Sequence, residues 1–204
     1  MRLEPFTLSG THVQLEPLTR DHATTLLAAG NQDRSTYGYT PVPADETEMK
    51  GYLDWLMGDA ERDLVVPFVQ RRLTDGAAIG CTRFLNVTWY TGRHSPAEVE
   101  IGGTWLAADA QRSPINTEAK LLLLTQAFEK WNVFRVAFCT DALNQRSRHA
   151  IVRIGAQFEG ILRQHRPSTG HLTEPGKARD TAAYSILPAE WPAIRARLKA
   201  RLDG

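Results

Sequence analysis

The chain has 204 residues, of which 42% are hydrophobic and 23% charged, and its formal net charge is +1. This length and composition predict a single packed domain, because there are enough apolar side chains for a core. A net charge so close to zero argues against a surface built for nucleic acid, so no nucleic-acid partner is expected. The two cysteines, Cys81 and Cys139, fit neither a metal motif nor a disulfide framework, and we expect two small buried side chains.

The expected location follows from two absences in the sequence. No apolar run approaches the roughly 20 residues that cross a bilayer, and residues 1–10 lack a basic start followed by an apolar stretch. We therefore expect a cytoplasmic protein with no membrane partner.

Hydrophobic periodicity in the first half of the chain predicts one strand, two helices and a hairpin. Thr19 and Gly30 are suited to begin and end the first helix, and the turn residues Thr74, Asp75 and Gly76 join the hairpin strands. The predicted elements are strand 12–18, helix 20–29, helix 44–60 and strands 64–71 and 77–90.

The second half alternates strands with helices. Four consecutive leucines at positions 121–124 place apolar groups on more than one face of a helix, which we expect to be largely buried. The predicted elements are strand 98–106, helix 116–131, strand 133–140, helix 144–154, strands 156–165 and 179–187, and helix 188–202. This order indicates a mixed α/β fold on a single sheet. We expect one domain over residues 1–187, with a C-terminal helix over 188–204 packed on it or extending from it.

The segment 111–119 joins the end of a strand to the start of the buried helix. Such a junction points unpaired backbone N–H groups and the positive end of a helix dipole at one spot, which is a natural anion site. Arg112 adds a charge able to pair with phosphate, and Asn116 and Thr117 are residue types that cap helices. Taken alone, the segment is also consistent with an ordinary capped helix after a loop.

Two further segments extend this pattern. Residues 98–106 supply the strand that leads into the loop. Residues 144–156 start a second helix directly after a strand, with Asn144 and Ser147 at its beginning and Gly155 at its end. The order is therefore strand, anion loop, helix, strand, a second helix that begins with Asn and Ser, glycine, and strand.

With these motifs in this order, the chain resembles the GNAT superfamily of N-acetyltransferases, and within it the ribosomal-protein N-terminal acetyltransferase-like branch (the RimJ/RimL type). Residues 100–106 match the family's Glu-Ile-Gly strand, residues 111–116 its phosphate loop, residues 116–119 its helix start and residues 144–155 its Asn-x-x-Ser segment. The resemblance covers roughly residues 12–187. It implies a mixed, mostly antiparallel sheet with splayed central parallel strands, flanked by helices.

The resemblance also implies an acyl-CoA-dependent N-acyltransferase that passes the acetyl group of acetyl-CoA directly to a primary amine in a ternary complex, without a metal. The donor would lie between the two splayed strands and against the phosphate loop. A backbone N–H at residues 105–107 is expected to polarise the thioester carbonyl. The implied donor-binding residues are Trp105, Leu106 and Ala107 in the strand, Gln111, Arg112, Ser113, Ile115, Asn116 and Thr117 at the loop, and Asn144 and Ser147 in the second helix.

One position departs from the family pattern. Pro114 stands where the family loop has glycine, and proline removes one backbone donor. Proline also fits the first positions of a helix, where that donor would lack a partner in any case. We therefore expect pyrophosphate to bind through the neighbouring N–H groups and Arg112. A regulatory module that binds acyl-CoA with weak or lost turnover is the alternative, and Pro114 is the feature that supports it.

Two proton transfers must accompany the reaction. The amine must be neutral to attack, and Glu100, acting through water, is our candidate base, with Glu98 on the same strand face as the second choice. Ser147 is the candidate donor to the leaving thiolate, and Asn144 is expected to hydrogen-bond the pantetheine or the carbonyl region. A solvated or salt-bridged strand face is the alternative for the glutamates, and helix capping is the alternative for Asn144 and Ser147.

The acceptor is left open between a protein N-terminus and a small-molecule amine. An α-amine has a pKa of about 7.7–8.0 against about 10.4 for a lysine, which makes it the easier acceptor near neutral pH. Tyr37, Tyr39 and Trp55 follow the first helix and are candidates to line the acceptor pocket or to form a hydrophobic lid. Members of the family often form homodimers, so a homodimer is a further expectation.

Overall fold

The computed structural model describes residues 3–170, 172, 174 and 176–204. The strands in these residues are β1 Leu8–Ser9, β2 Val13–Pro17, β3 Val65–Arg72, β4 Ala78–Thr88, β5 Glu98–Leu106, β6 Arg135–Asp141, β7 Gln157–Pro167 and β8 Ala178–Ile186. The α-helices are α1 Ala23–Gly30, α2 Glu46–Glu61, α3 Ile115–Thr125, α4 Gln145–Ile154 and α5 Trp191–Asp203. The described strands form one sheet in the order β1-β2-β3-β4-β5-β6-β8-β7.

The sheet is mixed because the neighbours β5 and β6 run parallel. They pair over residues 98–100 of β5 and 135–137 of β6, and the register ends there. β5 continues beside β4 as far as the pair of Leu106 with Gly80, while β6 continues beside β8. The two parallel strands therefore part after residue 100 and leave a cleft between them. This confirms the predicted mixed, mostly antiparallel sheet with splayed central strands.

The helices cover both faces of the sheet. Thr82 in β4 accepts a hydrogen bond from Lys120 in α3, whereas the next residue, Arg83, lies under Trp55 in α2. Neighbouring residues of a strand point to opposite faces, so α3 and α2 lie on opposite sides of the sheet. α1 packs beside α2, and α5 packs beside α3.

Aromatic and aliphatic side chains fill the core beneath α3. Phe68 and Phe84 are fully buried and meet edge to face with 6.2 Å between ring centroids. Leu123 and Leu124 are also fully buried, and the two leucines before them are partly buried against the core, as the four-leucine run predicts. Each such side chain contributes about 1.5–3 kcal/mol by leaving water.

Two charged residues of α3 are buried as well. Glu118 accepts hydrogen bonds of 2.6–2.8 Å from the backbone N–H groups of residues 11–13, at the start of β2. Lys120 donates to the hydroxyls of Thr82 and Thr104 at 3.1 and 2.6 Å. These bonds fix α3 to both the N-terminal segment and the centre of the sheet.

Several predicted boundaries were wrong. α3 begins at Ile115 and gives way to a π-helical turn over Gln126–Lys130, and β7 runs to Pro167, beyond the predicted strand end at residue 165. β1 was not predicted, because two residues are too few for periodicity. Within the described part of the chain, no helix combines the length and apolarity of a membrane span.

Candidate active site

The loop before α3 contains several backbone N–H groups without an acceptor. It passes through Arg112, whose φ of 59° is left-handed, to Pro114, whose φ of −61° suits a helix start. Among the described residues, no acceptor is found for the N–H groups of four residues in this stretch: Arg112, Ser113, Asn116 and Thr117. The Arg112 side chain is exposed beside them. Four N–H groups without an acceptor, an exposed arginine and the positive end of α3 are features that favour an anion at this loop, and the anion site stays a prediction.

The prediction that Asn116 and Thr117 cap the helix was wrong. Pro114 occupies the cap position and α3 starts at Ile115, so both residues lie inside the first helical turn. The fixed φ of proline allows the helix to begin earlier than the Asn-Thr pair suggested. Pro114 therefore removes an N–H that would have had no partner inside the helix, and its carbonyl accepts from the Glu118 N–H at 3.0 Å.

Gln111 and Ser113 brace the loop from within. Gln111 donates to the Leu106 carbonyl at 2.9 Å and accepts a hydrogen bond from Arg146 at the start of α4. The Ser113 hydroxyl donates to the Ala110 carbonyl at 2.6 Å. Arg146 thus reaches from α4 to the loop and adds a second cation near the anion site, although an exposed helical arginine gives no local sequence signal for such a role.

The three strand residues predicted to contact the donor differ in what their backbones can offer. The Ala107 N–H is already used, since it donates to the Ile79 carbonyl at 2.7 Å. Because backbone groups alternate between the two edges of a strand, the N–H of Leu106 faces away from β4, toward the cleft. The Leu106 carbonyl accepts from Tyr37 and Gln111. Trp105 is buried, and its ring meets that of Tyr37 edge to face.

Asn144 and Ser147 stand together at the start of α4. The Asn144 side chain caps the helix by accepting from the Ser147 N–H at 3.0 Å, and the Asn144 N–H donates to the Asp141 carbonyl at 3.0 Å. The Ser147 hydroxyl is half-buried and has no hydrogen-bond partner among the described residues. The capping role of Asn144 is therefore present in the structure, while the Ser147 hydroxyl is free to serve a ligand.

Glu100 is the buried carboxylate of the site, with 4% of its surface exposed. Arg166 in β7 grips both of its oxygens at 3.0 and 2.6 Å, and the Asn86 amide donates to Oε2 at 2.8 Å. A carboxylate offers about four acceptor positions, so these three bonds leave one on Oε1. Glu98, two residues earlier, is 38% exposed in its side chain and pairs with Arg135 at 3.0 Å.

These carboxylates line a cavity of about 520 Å³. Its walls come from the strands β4, β5, β6, β7 and β8, and they include Glu159, Cys139 and Tyr184. Burial raises the pKa of the Cys139 thiol to about 11, with the Glu100 charge acting in the same direction, so the thiol is held protonated. Among the described residues, no group of three or more His, Cys, Asp or Glu side chains could hold a metal ion.

The aromatic residues of the predicted acceptor region separate into two kinds. Tyr37 is buried, and its hydroxyl donates to the Leu106 carbonyl at 2.9 Å, so it is a core contact. Trp55 is 50% exposed and stacks over Arg83 with 5.0 Å from the guanidinium carbon to the ring centroid. Trp55 is therefore the aromatic side chain that offers a free surface.

Known proteins share this sequence pattern and this fold. Residues 12–157 match the family model described as an acetyltransferase (GNAT) domain. A protein of Bacillus subtilis (strain 168), which carries the provisional name ribosomal N-acetyltransferase YdaF, is 30% identical over 144 residues, or 65% of this chain and 72% of that protein.

Two solved structures illustrate the likeness of the fold. A GCN5-related N-acetyltransferase from Brucella melitensis gives a TM-score of 0.82 at 28% identity, over 98% of this chain and 86% of that one. Mycobacterium smegmatis RimJ, in complex with CoA-disulfide, gives a TM-score of 0.78 at 22% identity, over 97% of this chain and 95% of that one.

Proposed function

This chain belongs to the GNAT acetyltransferase family, and from that premise we propose that it transfers the acetyl group of acetyl-CoA to a primary amine by direct attack in a ternary complex. One observation carries the proposal. In the loop that follows β5, four N–H groups have no acceptor among the described residues, and Glu100 is a buried carboxylate at the point where β5 and β6 begin to part. A polyanionic thioester and an amine can therefore meet in one groove.

Donor binding is assigned to the loop and the two helix starts. The free N–H groups of residues 112–117 would hold the diphosphate, with Arg112 and Arg146 as cations beside it. The Leu106 N–H would polarise the thioester carbonyl. Asn144 would orient the pantetheine through its amide N–H₂, because its carbonyl oxygen is taken by the cap.

Proton transfer is assigned to Glu100 and Ser147. Glu100 would accept the amine proton through water at its remaining Oε1 position, and the Arg166 fork would keep the carboxylate in place. The unpaired hydroxyl of Ser147 would donate to the departing thiolate of CoA. The bond that forms is the amide, the bond that breaks is the thioester, and the thiolate leaves as free thiol. The proton taken by Glu100 is released to water, and Ser147 regains its proton from water, so both groups are restored.

A protein N-terminus is the acceptor we favour. An α-amine is neutral near physiological pH far more often than a lysine amine, and YdaF carries the name of a ribosomal N-acetyltransferase. A cavity of about 520 Å³ bounded by β4 to β8 is large enough for the first residues of a chain end.

The test combines donor binding with thiol release. We expect acetyl-CoA to raise the unfolding temperature, and peptides with free N-termini to release free thiol from it. Glu100→Gln should lower kcat by about 10²-fold or more without weakening acetyl-CoA binding, whereas the more exposed Glu98→Gln should not. Binding without turnover on a broad amine panel would favour the regulatory module, and an unchanged rate for Glu100→Gln at every pH would remove Glu100 as the base.

A further inference from the structure

Arg83 in β4 is a half-buried cation without an anion. No described residue accepts a hydrogen bond from it or forms an ion pair with it, and its Nε atom is buried without a partner. Two arginines of the neighbouring cavity, Arg135 and Arg166, are paired with glutamates. Buried polar groups in folded proteins are nearly always hydrogen-bonded. The two terminal nitrogens of the Arg83 guanidinium also lack a partner among the described residues but are not fully buried, so a ligand could reach them and supply an acceptor.

The guanidinium lies directly over the strand that borders the cleft. A Cβ atom on Gly103 of β5 would stand 2.3 Å from the Arg83 guanidinium carbon, so a side chain at 103 would displace it. Gly103 also has a φ of +56°, which favours glycine. Gly103 comes after residues 98–100, the last residues of β5 that pair with β6. Arg83 therefore overhangs the part of β5 whose edge is open to the cleft.

Arg83 lies on the same face of the sheet as Glu100, the candidate base. Arg83 pairs with Gly102 and Leu85 pairs with Glu100 in the β4–β5 register, which puts Arg83 and Glu100 on the same face of the sheet. The Glu100 Oε1 atom is 3.4 Å from where a Cβ on Gly102 would stand. The carboxylate and the unpaired guanidinium thus lie over adjacent glycines, whose Cα atoms are about 3.8 Å apart.

The two charges nevertheless do not pair with each other. Glu100 is held by Arg166 and Asn86, and Arg83 is held against the ring of Trp55. One small acceptor could therefore present its amine to Glu100 and an anionic group to Arg83. The half-exposed face of Trp55 offers an apolar surface for the carbon atoms between them.

We propose that Arg83 and Trp55 form a carboxylate-binding subsite for the acceptor, so that the enzyme selects amines that carry an acidic group close by. The inference rests on the proposed function, because it names the acceptor class of that same site. A peptide with an acidic side chain on its first or second residue could place its amine at Glu100 and its carboxylate at Arg83. Polycationic amines do not, because they would place further positive charge against Arg83.

The experiment compares matched peptides, with C-terminal amides, that carry Glu or Gln at the first or second position. The wild-type protein should prefer the Glu peptide by at least about tenfold in kcat/KM, since a charge-assisted hydrogen bond is worth that much. Arg83→Gln should remove the preference and leave the Gln peptide within about twofold. Arg83→Lys should keep part of it. The control Arg62→Gln, an exposed arginine at the end of α2, should keep all of it.

Binding of the N-acetylated product peptides, measured by calorimetry with CoA present, separates this inference from the proposed function. If no amine is turned over but the acidic product still binds better and loses that advantage in Arg83→Gln, the subsite stands and the proposed function fails. Turnover without preference for the acidic peptide overturns the subsite alone. The subsite is also overturned if the Glu and Gln product peptides bind equally well, or if neither binds. It is overturned as well if folded Arg83→Gln and Arg83→Lys proteins keep the full preference for the Glu peptide.

Discussion

Replacing Lys120 by methionine should stabilise this protein in mildly acidic solution. The amine is buried in the second turn of α3, where its partners are the hydroxyls of Thr82 and Thr104. Burial lowers the pKa of Lys120 to about 7 from its ordinary 10.5. Methionine keeps the length of the side chain and removes the amine, and the two hydroxyls still bond each other at 2.8 Å.

The size of the effect follows from proton linkage. The folded pKa lies below the unfolded one, so the unfolded chain binds more protons between the two values, and the free energy of unfolding rises with pH across that window. With pKa values of about 7 and 10.5, the rise between about pH 6 and pH 8.5 amounts to about 2 kcal/mol. Lys120→Met lacks this pH-dependent contribution. The amount by which its free energy of unfolding exceeds that of the wild type should therefore fall by about 2 kcal/mol between about pH 6 and pH 8.5.

Urea unfolding followed by tryptophan fluorescence at several pH values measures this directly. Lys199→Met, at an exposed position of α5, is the matched control and should follow the wild-type curve. A Lys120→Met protein that is less stable than wild type at about pH 6, or a stability difference that does not vary with pH, would refute the reasoning.

Three other outcomes are expected. Arg112→Ala should raise the Kd for acetyl-CoA without changing the free energy of unfolding, since its side chain is exposed, and calorimetry that finds the same Kd would contradict the loop assignment. Asn144→Ala should raise that Kd and also cost about 0.5–2 kcal/mol of stability through loss of the α4 cap, which urea unfolding checks. Because burial raises the pKa of Cys139 to about 11, alkylation of this thiol near pH 8 should be slow, and Cys139→Ala should keep the wild-type turnover. Rapid loss of activity on alkylation at Cys139 would contradict a protonated, non-catalytic thiol.

The parts of the site that could be predicted are those whose signal is local in the chain. The phosphate loop lies within one strand-to-helix junction, so the residue order from Gln111 to Thr117 indicated it once the flanking segments 98–106 and 144–156 were read with it. Its fine structure was not predictable in the same way. The cap preference of Asn116 and Thr117 was overridden by the fixed φ of Pro114, which started α3 at Ile115.

The partners of Glu100 could not be predicted because they come from distant parts of the chain. Arg166 is 66 residues away from Glu100 in the chain, reaches it across the sheet, and lies just beyond the predicted end of its strand at residue 165. Asn86 lies near the end of β4 with a left-handed φ of 50°, which no strand pattern indicates. Arg83 reads in the sequence as an ordinary strand arginine, and its missing partner is visible only in three dimensions. The roles of the site residues, the homodimer and the cytoplasmic location stay predictions.

The hydrogen bonds between Glu118 and the amides of residues 11–13 tie the start of β2 to α3, the helix whose first turn is proposed to bind the donor. Three amides, those of residues 11–13, neutralise a carboxylate that lies one turn into the helix whose start faces the cleft. A purification tag that pulls this segment away, or a protease cut within it, would leave a bare charge in the interior of the fold and loosen that helix start. A change near the N-terminus would then raise the Kd for acetyl-CoA at a loop that lies about a hundred residues further along the chain.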